Sequence, residues 1–394
     1  MRHMVIWSDR VFVEGRLTEA AISIDGNVIK DVVPGKCPKG TTVNLAGHRV
    51  IPGLIDTHIH GSADADTMDA TYDALNTMST YLASHGVTSF VPTTVTASED
   101  NIKAALANVA RTMEKGCDGA RILGSYVEGP FLDAEHKGAH PEEFLQDISI
   151  EAIERVLDGS GGTVLIVAVA PEQPKALEVI EFLLSKGICV SLGHSSAGYE
   201  QAMLAVNAGA NRFVHIYNGM AQLHHRKPGL LGAGLLSDAY AELICDGHHV
   251  APPAVQIALR CKGPDKIILV SDCMRAGGVP DGDYMLGYLS VVVKDGIARL
   301  ANGGALAGST LSLDRALANY IEMTGEPFEM AVLAVTENPA RSLGLYHKLG
   351  SIEPGKLADI TALDDNYKPV FVMVDGDIKL DLRQPDNDMS DFRK

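Results

Sequence analysis

Short apolar runs and longer amphipathic stretches alternate through the middle of this chain. The runs fall at 53–57, 87–91, 122–127, 164–169, 188–192, 212–214, 243–245 and 267–270, rich in Val, Ile and Leu. Each is too short for a helix and reads as a buried strand. Between them apolar residues recur at helical spacing. Leu75, Met78 and Leu82 form one stripe, closed by Gly86; Ile102, Leu106, Val109 and Met113 form another. Eight such strands alternating with helices predict an α/β fold, a (β/α)8 barrel of parallel strands. A doubly wound open sheet is the competing arrangement. It is weakened because no G-x-G-x-x-G opens a helix after any run.

The two ends of the chain carry a different pattern. Runs at 5–7, 11–13, 21–24, 28–29 and 32–33 are punctuated by Gly15, Asp25-Gly26-Asn27 and Pro34-Gly35. Runs at 359–363 and 370–374 precede the turn Asp375-Gly376. Strands at both ends predict one small sheet-based domain assembled from the termini, residues 1–50 with 355–394, around a barrel over 51–354. The polar tail from Gln384 is expected to fray.

Composition narrows the function. With 394 residues the chain can bury a large core without disulfides or structural metals. Thirty-three basic against fifty acidic residues leave a net charge of −17, a field that repels nucleic acid and anionic membrane. A small anion held by a few local cations remains possible. The six cysteines are scattered, without a C-x-x-C pair, and read as reduced thiols of a cytoplasmic chain. The longest apolar run, 164–170, falls far short of the roughly 20 residues of a membrane helix. Residues 1–14 show no signal-peptide pattern.

Residues suited to metal chemistry cluster just after the strands: His58 and His60, Glu128, His194, His215, Asp246 to His249, and Asp272. In a barrel these strand ends open onto one face and converge. A single histidine at a strand end is unremarkable, but four strand ends supplying His and two more supplying carboxylates are not. His58-x-His60 places two imidazoles on one side of an extended chain. Glu128, His194 and His215 add a carboxylate and two imidazoles from three further strands, a ligand set suited to a divalent ion with open coordination. Taken singly, Asp272 could equally be a helix cap, and Arg226 a solvated loop charge.

These residues carry a resemblance. The stretch from Val50 to His60, with 336–340 and 350–359, resembles the amidohydrolase superfamily. Within it the chain is similar to the N-acetylglucosamine-6-phosphate deacetylase family. The matches are Val127 to Phe131, Lys137 to His140, Leu192 to Ser195, His215 to Met220, Arg226 to Gly229, Asp246 to Val250 and Ala305 to Ser309. They run in order over nearly the whole chain. The resemblance implies a barrel with a small β-sandwich from both termini, and a homodimer. It implies metal ligation by Glu128, His194 and His215, with His58 and His60 for a second ion, so one or two of Zn, Fe, Co or Mn. Val164 to Val169 lacks the superfamily's usual bridging lysine, and Glu128 would take its place. It further implies Asp272 as acid/base and His140 on the substrate carbonyl. Asn218, Gly219, His249 and the loop residues Leu306, Ala307 and Gly308 would contact an amino-sugar phosphate, with Arg226 reaching across from the neighbouring subunit. The substrate would be N-acetylglucosamine 6-phosphate. Its galactosamine epimer, a cyclic amide, and a non-catalytic relative are the competing readings.

Overall fold

A computed structural model describes residues 3–383; the tail from Gln384 lies outside the described residues. The barrel strands, numbered in chain order, are β1 (Leu54–Ile59), β2 (Val87–Thr94), β3 (Ser125–Val127), β4 (Val164–Val169), β5 (Cys189–Leu192), β6 (Arg212–Phe213), β7 (Tyr240–Leu243) and β8 (Ile267–Leu269). They pair in sequence, all parallel. The ring closes just beyond β8, where the Asp272 amide donates to the His58 carbonyl at 2.9 Å and the His60 amide to the Cys273 carbonyl at 2.9 Å. The run expected at 122–127 is two pieces, Arg121–Ile122 and Ser125–Val127, both paired with β2.

Period-two alternation assigns the faces. In β4, Ile166 and Ala168 join Val91, Tyr126 and Val214 in the barrel interior, while Val167 and Val169 join the core packed under the helices. The first helix, Tyr72–Ser84, is capped by the Thr71 hydroxyl and buries Leu75, Met78 and Leu82. The second, Glu99–Lys115, is capped by Ser98 and buries Ile102, Leu106 and Val109. Gly86 turns the chain into β2 at φ +81°, and a side chain there would meet Thr361 at 3.0 Å.

The termini build a separate, mostly antiparallel sheet. Its order is Asp377–Asp381, Pro369–Val374, Ile360–Leu363, Arg49–Pro52, His3–Val13, Arg16–Asp25 and Val28–Pro34, with Val43–Asn44 beside His3–Val13. The runs at 5–7 and 11–13 are one strand, irregular between Ser8 and Val11. A core of its own, including Ile6, Ile22, Val50, Ile360 and Phe371, holds it together.

One element has no counterpart in the sequence reading. Between β8 and the helix Leu313–Thr324 stands a three-stranded antiparallel sheet of Gly282–Leu286, Leu289–Lys294 and Ile297–Leu300. It packs on Met274, Ala276 and Ala307 and delivers Leu286 to the mouth of the barrel.

Candidate active site

The C-terminal strand ends enclose a cavity of about 280 Å³ lined by His60, Glu128, His140, His194, His215, Asn218, Gly219, His249 and Asp272, with Val95, Leu286, Leu306 and Gly308 among its apolar and backbone walls. At its floor sits Glu128, 1% exposed. Its two oxygens face different partners. Oε2 is 3.3 Å from His58 Nε2 and 3.1 Å from His60 Nε2. Oε1 is 3.2 Å from both His194 Nε2 and His215 Nε2, which are 3.1 Å from each other. Asp272 Oδ1 lies 3.5 Å from His58 Nε2 and 3.3 Å from His60 Nε2. Ligand atoms about 2.0–2.1 Å from one tetrahedral ion stand roughly 3.3 Å apart. The separations around each Glu128 oxygen match that spacing.

The outer nitrogens sort ligands from donors. His60 Nδ1 donates to the Thr93 carbonyl at 3.3 Å, His194 Nδ1 to the His136 carbonyl at 2.9 Å, and His215 Nδ1 to the Asn218 carbonyl at 3.2 Å. His58 Nδ1 faces the Glu242 carboxylate at 2.9 Å. An acceptor at Nδ1 fixes the proton there and leaves Nε2 with a free lone pair, the form a metal ligand requires. His140 is the opposite case. The Thr96 amide, which can only donate, points at its Nδ1 at 3.3 Å. The proton therefore sits on Nε2, 3.8 Å from Glu128 Oε2. By proximity His140 groups with Glu128 and His194. Its tautomer makes it a hydrogen-bond donor into the cavity, whereas His215 Nε2, with the proton held on Nδ1, presents a lone pair to Glu128.

The electrostatics of the floor call for positive charge. Burial disfavours the ionised form of Glu128, yet without a cation the charge of a protonated His58 and hydrogen bonds from His194 and His215 hold its pKa well below the usual carboxylate range. Burial likewise opposes charge on Asp272; with His60 and His58 protonated at Nε2, where a bound cation would displace those protons, the His60 hydrogen bond and the His58 charge bring it down to about 2. Burial and the neighbouring His194 hold His140 neutral, its pKa well below the ordinary imidazole value. Buried carboxylates ringed by ligand-form imidazoles fit one or two divalent cations.

Three backbone positions around this floor are conformationally strained: His194, Asp272 and Tyr217 have φ of 47°, 48° and 81°. Gly219 shows why the segment after His215 needs a glycine. At φ +59°, a Cβ would sit 2.7 Å from His194 Nδ1 and displace that ring.

Not every expected residue reaches the cavity. Arg226 lies on an exposed loop, its guanidinium 2.6 Å from His225 Nε2, and it does not line the cavity of its own chain. Ala307 is buried under the extra sheet rather than in the cavity wall. His249 lines it and is gripped by Asp246, Nδ1 to Oδ2 2.6 Å. Sequence reasoning passed over Thr96, Glu242 and Arg212. For Glu242 a signal existed: a carboxylate inside the apolar run of β7 must be buried with a partner.

Comparison with known proteins agrees with this geometry. The amidohydrolase family pattern matches residues 49–379, and the chain belongs to that family. Within it the chain belongs to the N-acetylglucosamine-6-phosphate deacetylases. It is 46% identical to the enzyme of that name from Vibrio furnissii, covering 94% of this chain and 90% of that one. It is 42% identical to N-acetylgalactosamine-6-phosphate deacetylase of Escherichia coli O157:H7, over 93% and 96% of the two chains. A Mycobacterium smegmatis N-acetyl-D-glucosamine-6-phosphate deacetylase mutant, solved in complex with N-acetyl-D-glucosamine-6-phosphate, superposes with a TM-score of 0.91 at 32% identity, covering 96% of this chain and all of that one.

Proposed function

We propose that this hydrolase removes acetate from N-acetyl-D-glucosamine 6-phosphate, leaving D-glucosamine 6-phosphate. One observation carries the reading: a buried carboxylate–imidazole centre, a donor-form His140 and an acid/base Asp272 share one cavity, in a chain 46% identical to a deacetylase of that substrate. Glu128, His194 and His215 would hold one divalent ion, and His58 and His60 a second through the other Glu128 oxygen. Zn, Fe, Co and Mn all suit this N/O set. A divalent cation there supplies Lewis acidity, bringing the pKa of a water towards about 7 and polarising an acyl oxygen.

The chain's own groups do the rest. Asp272, ionised, accepts the proton of the attacking water and returns it to the leaving amine. His140 donates a hydrogen bond from Nε2 to the acetamide oxygen as negative charge develops, a contact worth roughly 3–4 kcal/mol when well placed. Leu286, Leu306 and Val95 form a dry wall. Asn218, the Gly219 amide and His249 bind the phosphate, joined by Arg226 of the partner subunit in a homodimer. Six free cysteines accord with a cytoplasmic setting. Among the described residues no helix is long and apolar enough to cross a membrane.

Arg226→Ala tests the substrate assignment. Losing a charge-assisted contact of about 1.5–3 kcal/mol should raise KM for the 6-phosphate sugar about 10- to 150-fold. kcat should fall less, and activity on unphosphorylated N-acetylglucosamine, expected to be low in wild type, should hardly move. Equal losses on both substrates would make Arg226 structural and leave the phosphate unassigned. The galactosamine epimer belongs in the same assay, given the 42% identical relative that acts on it.

His249 adds a pH signature. Burial opposes its charge, but the Asp246 hydrogen bond and carboxylate raise its pKa above the ordinary imidazole value. The cation therefore persists past the usual range, and phosphate affinity is lost as pH rises through the raised value. Asp246→Asn removes the hydrogen bond and charge that raise that value and leaves burial to lower it, so the rise in KM should move to lower pH. An unshifted KM–pH profile would remove His249 from the phosphate site.

A further inference from the structure

Beneath the cavity floor, inside the barrel, Arg212 and Glu242 form an ion pair at 3.1 Å with neither side chain exposed. Arg212 Nη1 also donates to Thr57 Oγ1 at 3.0 Å, and Nη2 to Ser342 Oγ. The other oxygen of Glu242 accepts the His215 amide at 3.3 Å and stands 2.9 Å from His58 Nδ1. Taking both charges out of water is costly, so such a pair is weak evidence for stability alone. Its placement is selective. Three of the four ligand-form imidazoles lean on backbone carbonyls, whereas His58 leans on a carboxylate. The ring of Tyr126, 4.9 Å away, backs the same imidazole. A carboxylate behind a histidine fixes its tautomer more firmly than a carbonyl and makes its far nitrogen a better ligand.

We infer that Glu242, clamped by Arg212, is the positioning residue that sets ion occupancy on the His58–His60 side of Glu128. The inference rests on the two-ion reading above. Loss of the charge weakens His58 as a donor. An amide in its place can also present NH2 to Nδ1, which moves the imidazole proton to Nε2 and removes the lone pair facing Glu128. On the other side the His194 and His215 imidazoles keep their carbonyl partners, and only the His215 backbone amide loses a charged acceptor at 3.3 Å.

Equilibrium dialysis of the full chain against Co2+ separates the cases. Wild type should bind two ions per chain. Glu242→Gln should keep one with affinity changed only a few-fold and bind the other about 10- to 100-fold more weakly. Gln leaves the Arg212 charge unpaired, so thermal unfolding is followed in parallel. The double variant Arg212→Met/Glu242→Gln, which has no orphan charge, should show the same one-sided loss. Equal weakening of both ions in the double variant would make the pair merely structural and overturn the inference. So would two ions bound at wild-type affinity. A wild type that binds a single ion at saturating Co2+ would overturn the two-ion reading itself, and this inference with it.

Discussion

Asp272→Asn should lower kcat by about 10²–10⁴-fold, towards the upper end because one side chain serves both proton transfers. Asn is isosteric but can neither take the proton from water nor return it to the amine. The substitution is also gentle on the backbone. Asp272 sits at φ 48°, a conformation Asn adopts more readily than most residues. Its amide, which closes the barrel by donating to the His58 carbonyl at 2.9 Å, is untouched. Bound metal and Tm should therefore stay near wild type while acetate release collapses. Elemental analysis, a melting curve and an acetate assay on one preparation check all three. More than a few per cent of wild-type kcat in the variant would dismiss Asp272 as the acid/base.

Glu128→Gln should have the second large effect, on metal as well as on turnover. Among the described residues Glu128 is the one side chain within 3.1–3.3 Å of all four imidazoles, those of His58, His60, His194 and His215. Removing its charge leaves up to two dications facing neutral ligands. Outer partners of a metal site typically cost 10- to 100-fold in affinity when lost, so losing this carboxylate should exceed about 100-fold. A melting curve reads this without any assay of activity. An ion at 100 times its Kd stabilises the native chain by about 2.7 kcal/mol. That metal-dependent rise in Tm should be present in wild type and absent in Glu128→Gln. A variant that still gains stability from metal as wild type does would place the ion elsewhere.

Much of this arrangement was legible in the sequence because barrel strands are short, apolar and followed directly by their functional residues. His58, Glu128, His194, His215 and Asp272 all sit within four residues of a strand end. The extra sheet escaped notice although the signal was there. Asp295-Gly296, both at positive φ, is the two-residue turn of a hairpin, and Val291 and Val293 alternate with exposed neighbours. The proton position on His140 could not be read from sequence. It depends on the Thr96 amide, 44 residues away in the chain. Arg212 and Glu242 lie on the adjacent, paired strands β6 and β7, but only closure of the barrel sets them behind His58 on β1, a contact that no local pattern shows. Arg226 lies on an exposed loop, away from the cavity of its own chain.

The most direct test is to incubate the purified, metal-loaded protein with N-acetyl-D-glucosamine 6-phosphate, unphosphorylated N-acetylglucosamine and a cyclic ureide, and to measure acetate, free amine and ring opening together. The predicted result is equimolar acetate and D-glucosamine 6-phosphate from the first substrate, far lower kcat/KM on the second, no ring opening of the third, and loss of turnover on chelation that added divalent metal restores. Ring opening of the ureide with no acetate from the sugar phosphate would contradict the account.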